Sequence, residues 1–248
     1  MNAPEPSSQP GAAEFDSFAG NYDAELQRAL VLTGEDKSYY AEGRVRWLKS
    51  CLEKLGLPMP RSCVDFGCGT GGAAPFLAEV LGIEKYVGFD PSGESVKEAR
   101  RIHADTGWTF TADAGSLQQE SFDLAFCNGV FHHIPPADRA GAVHVVARSL
   151  KPGGIFAFWE NNPWNPMVHY LMSRVSFDRD AQMLFPRTAA KLLRAAGLSV
   201  LHRSYKFIFP ASLARLRGLE GSLSGVPFGG QYQLLARKGA GQGADVTP

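Results

Sequence analysis

The stretch Val64-Asp65-Phe66-Gly67-Cys68-Gly69-Thr70-Gly71 joins a short apolar run directly to three glycines at alternate positions. Residues 62–66 have the length and composition of a buried strand, and residues 73–81 are predicted to form a helix that Gly82 ends. Glycines between a strand and a helix allow a tight turn and a close approach of the backbone to a ligand. The following helix offers unpaired N–H groups to a carboxylate or a phosphate. The stretch therefore predicts a ligand site at the carboxyl end of a strand.

Strands and helices alternate on both sides of this loop. Further strands are predicted at 86–90, 108–112, 122–127, 155–159, 198–209 and 231–238. Helices are predicted at 37–55, 92–103, 136–150 and 188–196, and residues 151–154 (Lys-Pro-Gly-Gly) are expected to turn between a helix and the fifth strand. This alternation predicts a parallel sheet with helices on both faces, whose last two strands pair antiparallel at one edge.

Charge and cysteine content exclude several classes of function. Lysine plus arginine equals aspartate plus glutamate, at 25 each, and no basic run occurs, so we expect no nucleic-acid partner. None of the four cysteines forms a C-x-x-C pair or a zinc-type cluster with histidine, so no metal site is expected. No stretch is long enough to span a membrane. The sequence favours a reduced, cytoplasmic setting.

Two further carboxylates follow predicted strands. Asp90 ends the second strand, nineteen residues after Gly71, where a carboxylate can accept hydrogen bonds from a ribose diol. Asp113 ends the third strand and could accept a hydrogen bond from an adenine amino group. Because open α/β sheets bind ligands at the carboxyl ends of their strands, we expect these acids to lie around one site. The loop alone leaves NAD open, since Gly72 completes a G-x-G-x-x-G pattern.

Five segments in this order resemble the class I S-adenosylmethionine-dependent methyltransferases, and among them the bacterial enzymes that act on small molecules. The segments are 64–71, 88–92, 112–114, 122–125 and 150–154, and the resemblance covers residues 37–154 well and the last two strands in outline. It implies a three-layer, Rossmann-like α/β fold. The sheet would have seven strands in the order 3-2-1-4-5-7-6, with strand 7 antiparallel.

The same resemblance implies S-adenosylmethionine as the cofactor and assigns residues to its parts. The methionine part would lie on Asp65, Gly67, Cys68, Gly69 and Gly71. The nucleoside would lie on Asp90, Pro91, Asp113 and Ala114, and the backbone of Asn128 and Gly129 would pass beside it. Arg44 is a candidate partner of the methionine carboxylate, and Tyr22 or Tyr39 a candidate cover.

The acceptor side is expected where the chain leaves the fifth strand. Glu160, Asn161, Trp164 and Asn165 are the candidate substrate contacts. His132 and His133 are the candidate general bases because histidine titrates near neutral pH, with Glu160 and His169 as further candidates. Leucines 213, 216, 219 and 223 recur at helical steps, which favours a core-facing helix, although a pocket cap or a partner surface remains open.

The sequence predicts a single methyltransferase domain over residues 15–238. It would have a helical cap at about 15–57, insertions at about 160–185 and 210–228, and disordered segments at 1–14 and 239–248. Its expected reaction is transfer of a methyl group to an O, N or C atom of a small organic acceptor by in-line displacement, which releases S-adenosylhomocysteine. The alternatives are an NAD(P)-dependent oxidoreductase, although no Tyr-x-x-x-Lys pair stands out, and a non-catalytic S-adenosylmethionine-binding regulator. The oligomeric state stays open.

Overall fold

The computed structural model describes residues 33–175 and 181–239. Four predictions lie wholly or mostly outside these ranges: the first part of the helical cap, at about 15–32, the placement of Tyr22, and the disorder expected at 1–14 and at 239–248, of which only Gly239 is described. Within the described residues, a seven-stranded sheet has the order β3-β2-β1-β4-β5-β7-β6, which confirms the predicted topology. The pairings of β7 with β5 and with β6 are antiparallel, while the other pairings in the sheet are parallel.

The elements follow one another along the chain as the alternating pattern predicts. The strands are β1 (Ser62–Phe66), β2 (Lys85–Phe89), β3 (Thr109–Thr111), β4 (Phe122–Asn128), β5 (Leu150–Asn161), β6 (Leu198–Lys206) and β7 (Gln231–Lys238). The helices are α1 (Lys37–Lys54), α2 (Ala74–Leu81), α3 (Gly93–Ile102), α4 (Arg139–Ser149), α5 (Pro166–Met172), α6 (Pro186–Ala195) and α7 (Glu220–Leu223).

Side chains of the strands alternate between two apolar cores, one on each face of the sheet. Helices α1, α2 and α3 cover the face that carries Leu124, Phe126 and Trp159. Helices α4 and α6 cover the opposite face, which carries Phe156 and Phe158. Burial on both faces explains why the central strands are continuous apolar runs, as parallel sheets require.

Local signals fix the ends of three helices. The side chain of Asp36 accepts a hydrogen bond from Tyr39 N and begins α1, and Ser92 accepts one from Ser95 N and begins α3. Gly82 ends α2 in the left-handed conformation, at a φ of 73°. The predicted start of a helix at residue 92 and the predicted end of α2 at Gly82 are confirmed.

Two predictions about irregular segments are corrected. Residues 151–154 are not a separate turn before the fifth strand, because β5 already begins at Leu150 and the Lys-Pro-Gly-Gly segment bulges out of its pairing with β4, with Gly153 at a φ of 79°. The leucines of the second insertion do not face a core. Leu213, Leu216 and Leu219 lie in a 3₁₀ helix over Ala211–Leu219 and are 41–53% exposed. The segment is kinked at Leu213, whose φ of −114° and ψ of 23° are not helical. Beyond the kink, a 3₁₀ helix has three residues per turn, so Leu216 and Leu219 align on one outer face.

No described helix is both long enough and apolar enough to cross a membrane.

Candidate functional site

The glycine loop turns directly out of β1 and is held against β2. Gly67 N and Cys68 N both donate to Phe89 O, at 2.7 and 3.0 Å, which ties the loop to the end of the neighbouring strand. Gly67, Gly69 and Gly71 all have positive φ values, of 78°, 52° and 79°. A Cβ at Gly67 would lie 2.2 Å from Val130 Cγ2, so the loop also needs glycine for space. The result is a half-buried backbone cradle at the carboxyl edge of the sheet.

Asp90 closes this cradle from the end of β2. Its Oδ2 accepts a hydrogen bond from Gly69 N at 2.8 Å, and its Oδ1 accepts one from Ser92 N at 3.0 Å. A carboxylate has about four lone-pair sites, so a carboxylate at this position can accept hydrogen bonds from a ribose diol as well as from backbone N–H groups. The structure thus brings Asp90, the residue predicted to bind ribose, into contact with the predicted glycine loop. The next residue, Pro91, is half-buried.

Asp65 lies beneath the loop and is only 3% exposed. Tyr86 Oη donates to its Oδ2 at 2.9 Å. Burial raises the pKa of the Asp65 carboxyl to about 7, against the Tyr86 hydrogen bond and the nearby charge of Arg44, which both lower it. The charge of Asp90 raises it further. A cationic ligand group beside Asp65 would favour the ionised carboxylate.

Asp113 follows β3 at the same edge, but it is exposed and turned toward its own backbone. Its Oδ1 accepts a hydrogen bond from Gly115 N at 2.8 Å and begins the short 3₁₀ helix at Ala114. Its second oxygen and the neighbouring half-buried Ala114 remain candidates for an adenine edge.

A polar cluster that the sequence did not predict joins the ends of β4, β5 and β7. Gln231, the first residue of β7, accepts from Arg44 Nη1 at 3.0 Å and donates from Nε2 to Asn128 Oδ1 at 3.3 Å and Asn161 Oδ1 at 3.2 Å. We call Arg44, Asn128, Asn161 and Gln231 the rim cluster. Sequence offered no signal for Gln231, because Arg44 lies 187 positions away from it along the chain.

The rings of the two candidate histidines contact each other at a tilt of 51°, and one of the histidines is anchored to a buried glutamate. The rings of His132 and His133 lie 4.1 Å apart. His132 Nδ1 lies 2.6 Å from Glu160 Oε2, and both side chains are buried. Burial by itself would raise the pKa of the Glu160 carboxyl. The pKa is nevertheless lowered overall, because His132 contributes its charge and a hydrogen bond and Phe131 N donates another hydrogen bond. Glu160 is fully buried, so its position suits a partner of His132 rather than a contact to substrate.

The remaining candidate substrate contacts differ in what they face. Asn165 begins α5 by accepting from Met167 N, and its Nδ2 donates to Phe228 O at 2.9 Å. Trp164 is 47% exposed and packs on Phe185 and Tyr205. Thus Asn161 alone among the four candidates belongs to the rim cluster, while Asn165 links the two insertions.

A neighbouring asparagine that was not among the candidates also links the insertions. Asn162 is fully buried and donates to Pro227 O and Gly229 O at 3.0 and 2.8 Å. It therefore fixes the start of the first insertion against the end of the second. The only sequence signal for this role was the position of Asn162 in a run rich in proline and asparagine.

Comparison with known proteins gives matches to methyltransferases in both sequence and fold. Residues 64–156 match a family model described as a methyltransferase domain. A trans-aconitate 2-methyltransferase of Azoarcus sp. (strain BH72) is 28% identical over 166 residues, which are 66% of this chain and 65% of that protein. The chain thus matches just under two thirds of that relative's length.

Two solved structures align over almost the whole chain. A methyltransferase from Thermotoga maritima, titled a possible histamine N-methyltransferase, has a TM-score of 0.64 at 21% identity and covers 92% of this chain and 99% of its own. The [4+2]-cyclase SpnF has a TM-score of 0.62 at 21% identity and covers 97% of this chain and 100% of its own. At this identity both likenesses concern the fold, and the cyclase illustrates that one fold hosts different reactions.

The described residues fit the cofactor of this family. The positive φ values of the loop and the 2.2 Å approach of Val130 to a Cβ at Gly67 make a backbone cradle. The half-buried Asp90 beside it supplies a carboxylate suited to ribose hydroxyls. Residues 64–156 match the methyltransferase domain model, and the sheet order and glycine loop agree with that match, so the chain resembles methyltransferases in both sequence and fold.

Proposed function

We propose that this protein transfers the methyl group of S-adenosylmethionine to a small organic acceptor. The observation that carries the proposal is the contact between Gly69 N and Asp90 Oδ2, which places the glycine loop and the ribose-type carboxylate in one cradle. When bound, S-adenosylmethionine supplies an electrophilic methyl carbon on a positively charged sulfur. The chain itself must position the acceptor in line and exclude water.

The residues of the cradle divide the work of binding. Asp65 and the loop from Gly67 to Gly71 would hold the methionine part, and Asp90 and Asp113 the nucleoside. Asp65 is buried beside this loop, so its ionised form would pair with the ligand's amino group. Arg44 lies close enough to lower the pKa of Asp65, which keeps a positive charge at the same edge.

His132 is the general base that best suits the geometry, with Glu160 as its positioning residue. Glu160 is held as a carboxylate that only accepts hydrogen bonds, so the proton of the neutral imidazole resides on Nδ1 and Nε2 is the basic nitrogen. A Cβ at Gly129 would lie 3.5 Å from His132 Cε1, the carbon between Nδ1 and Nε2. The Cε1 edge of the ring therefore lies beside Gly129, in the backbone that the family places beside the cofactor, where an acceptor O–H or N–H would lose its proton to Nε2.

The acceptor is proposed to be small, as it is for the trans-aconitate methyltransferase relatives. The balanced charge of the chain fits such a ligand better than a nucleic acid. All four cysteines are free thiols, which suits a reduced cytoplasmic compartment.

A labelling experiment tests the proposal. The protein is incubated with methyl-labelled S-adenosylmethionine and a small-molecule cell extract, and mass spectrometry then identifies compounds that gain the label. Transfer by the wild type, with S-adenosylmethionine binding weakened about tenfold by Asp90→Ala, is the expected result. Unchanged cofactor affinity in Asp90→Ala would remove Asp90 from the site, and a wild type that binds the cofactor but labels nothing would favour a regulatory role.

A further inference from the structure

The hydrogen bonds of the rim cluster fix the orientation of three side-chain amides. Arginine carries only donors, so the atom of Gln231 that faces Arg44 at 3.0 Å must be the oxygen. The other end of the Gln231 amide is then the NH₂ group. The two atoms that face it, at 3.3 Å on Asn128 and 3.2 Å on Asn161, must in turn be oxygens. Arg44 therefore determines the direction of every amide in the cluster.

This orientation turns donors outward. With both asparagine oxygens directed at Gln231, the NH₂ groups of Asn128 and Asn161 point away from it. Among the described residues, the Asn161 NH₂ contacts the Met172 sulfur at 3.5 Å, and a thioether is a weak acceptor that a ligand can displace. The cluster also carries the positive charge of Arg44. Two outward amide donors beside a guanidinium favour a negatively charged acceptor of hydrogen bonds, and a planar carboxylate fits that set.

The place of the cluster indicates which ligand carries the carboxylate. In the order β3-β2-β1-β4-β5-β7-β6, Asp113, Asp90 and Asp65 lie on or directly after β3, β2 and β1. Gln231 on β7 lies three strands beyond β1, about 14 Å at the usual strand spacing. The cluster thus lies on the side of the glycine loop away from the adenine end, where a methyl acceptor must be held.

We propose that the rim cluster is a carboxylate-binding subsite for the methyl acceptor, with Gln231 as the residue that orients it. This inference rests on the proposed methyl transfer, because it assigns the ligand to the acceptor. The methionine carboxylate of the cofactor has the same chemistry, and Arg44 is close to both regions. The experiment therefore separates the two sources.

Side-chain amide NMR measures the subsite without any turnover. The NH₂ resonances of Asn128, Asn161 and Gln231 are followed while formate is added, first to the free protein and then to protein saturated with S-adenosylhomocysteine. Formamide, which is neutral and of similar size, is the control ligand. Saturable shifts with formate in both forms, and none with formamide, are the expected result.

Three variants complete the test. Gln231→Leu and Gln231→Glu should each weaken formate binding about tenfold or more, because the first loses the orienting amide and the second places a negative charge beside Arg44 that neutralises the arginine and repels formate. Both should bind S-adenosylhomocysteine within about twofold of the wild type. Gln233→Leu, two residues along the same strand and on the same face, is the matched control and should bind formate as the wild type does.

The results that overturn the inference differ from those that overturn the proposed function. Equal responses to formate and formamide, or unchanged formate binding in both Gln231 variants, would mean that the cluster is not a carboxylate subsite. A formate response that S-adenosylhomocysteine abolishes would assign the cluster to the cofactor's own carboxylate and overturn the acceptor assignment. Failure of the wild type to transfer label, with the formate response intact, would count against the proposed function alone.

Discussion

Replacing Asp65 by asparagine should stabilise the free protein above pH 7 while it weakens cofactor binding. Burial raises the pKa of the Asp65 carboxyl from 3.8 to about 7. Between these values the folded protein keeps a proton that the unfolded chain has released, so the free energy of unfolding falls as the pH rises from about 4 to 7. A pKa shift of roughly three units, at about 1.4 kcal/mol per unit, corresponds to a change of about 4 kcal/mol in the free energy of unfolding.

Asparagine keeps the shape of the side chain and an oxygen for the Tyr86 hydroxyl, but it cannot ionise. Asp65→Asn and the wild type should therefore unfold with similar free energies near pH 4. At pH 8 the variant should be more stable, by up to about 4 kcal/mol. Urea unfolding from pH 4 to 9 measures this difference, and calorimetry at pH 8 should show weaker binding of S-adenosylhomocysteine. A variant no more stable than the wild type at pH 8 would refute the reasoning.

Asp123→Asn is the control, because its effect should have the opposite sign. Burial tends to raise the pKa of Asp123, but hydrogen bonds from Lys151, Ser62 and Arg61 N lower it to about 2. Stability from this carboxylate is present above pH 4 and lost as the pH falls toward 2. Asp123→Asn should therefore be less stable than the wild type at pH 7, and the same unfolding series records it.

Three further predictions concern the loop, the sheet beneath the rim cluster and the histidine pair. Gly67→Ala should lose about 2 kcal/mol of stability or more, because the φ of Gly67 is 78° and the added Cβ would overlap Val130. Gly72→Ala is the control, since the space around Gly72 is open, and it should match the wild type in thermal unfolding. Gln233→Leu should raise the melting temperature, because both amide atoms of the buried Gln233 lack a hydrogen-bond partner among the described residues. A lower melting temperature would show that the Gln233 amide is hydrogen-bonded in solution. Glu160→Gln should slow label transfer about 100-fold at unchanged affinity for S-adenosylhomocysteine, and His132→Gln added to it should cost little more; additive losses would separate the two residues.

The fold and the cofactor edge could be predicted because their signals are local. A buried strand, a glycine loop and a capped helix are each specified by neighbouring residues, so the positions of Gly67, Asp90 and Ser92 were evident from the sequence. The sequence-based predictions were wrong where pairing with a distant strand decides the local structure. The Lys-Pro-Gly-Gly segment resembles a turn, yet β4 pairs on both sides of it and makes it a bulge in β5.

The acceptor side was less predictable because its contacts join distant parts of the chain. Glu160 resembles a rim residue by its position after an apolar run, but its side chain points into the core toward His132. Gln231 begins an ordinary strand, and only the antiparallel placement of β7 beside β5 brings it to Asn161 and Asn128. Alternation along a strand gives the face of a residue, whereas the partner across the sheet depends on the whole topology.

Calorimetric titration of the wild-type protein with S-adenosylmethionine, S-adenosylhomocysteine and NADH tests the assignment of the cradle most directly. Saturable binding of the first two ligands and no binding of NADH is the predicted result. Tight binding of NADH without binding of the other two would contradict the proposed activity as an S-adenosylmethionine-dependent methyltransferase.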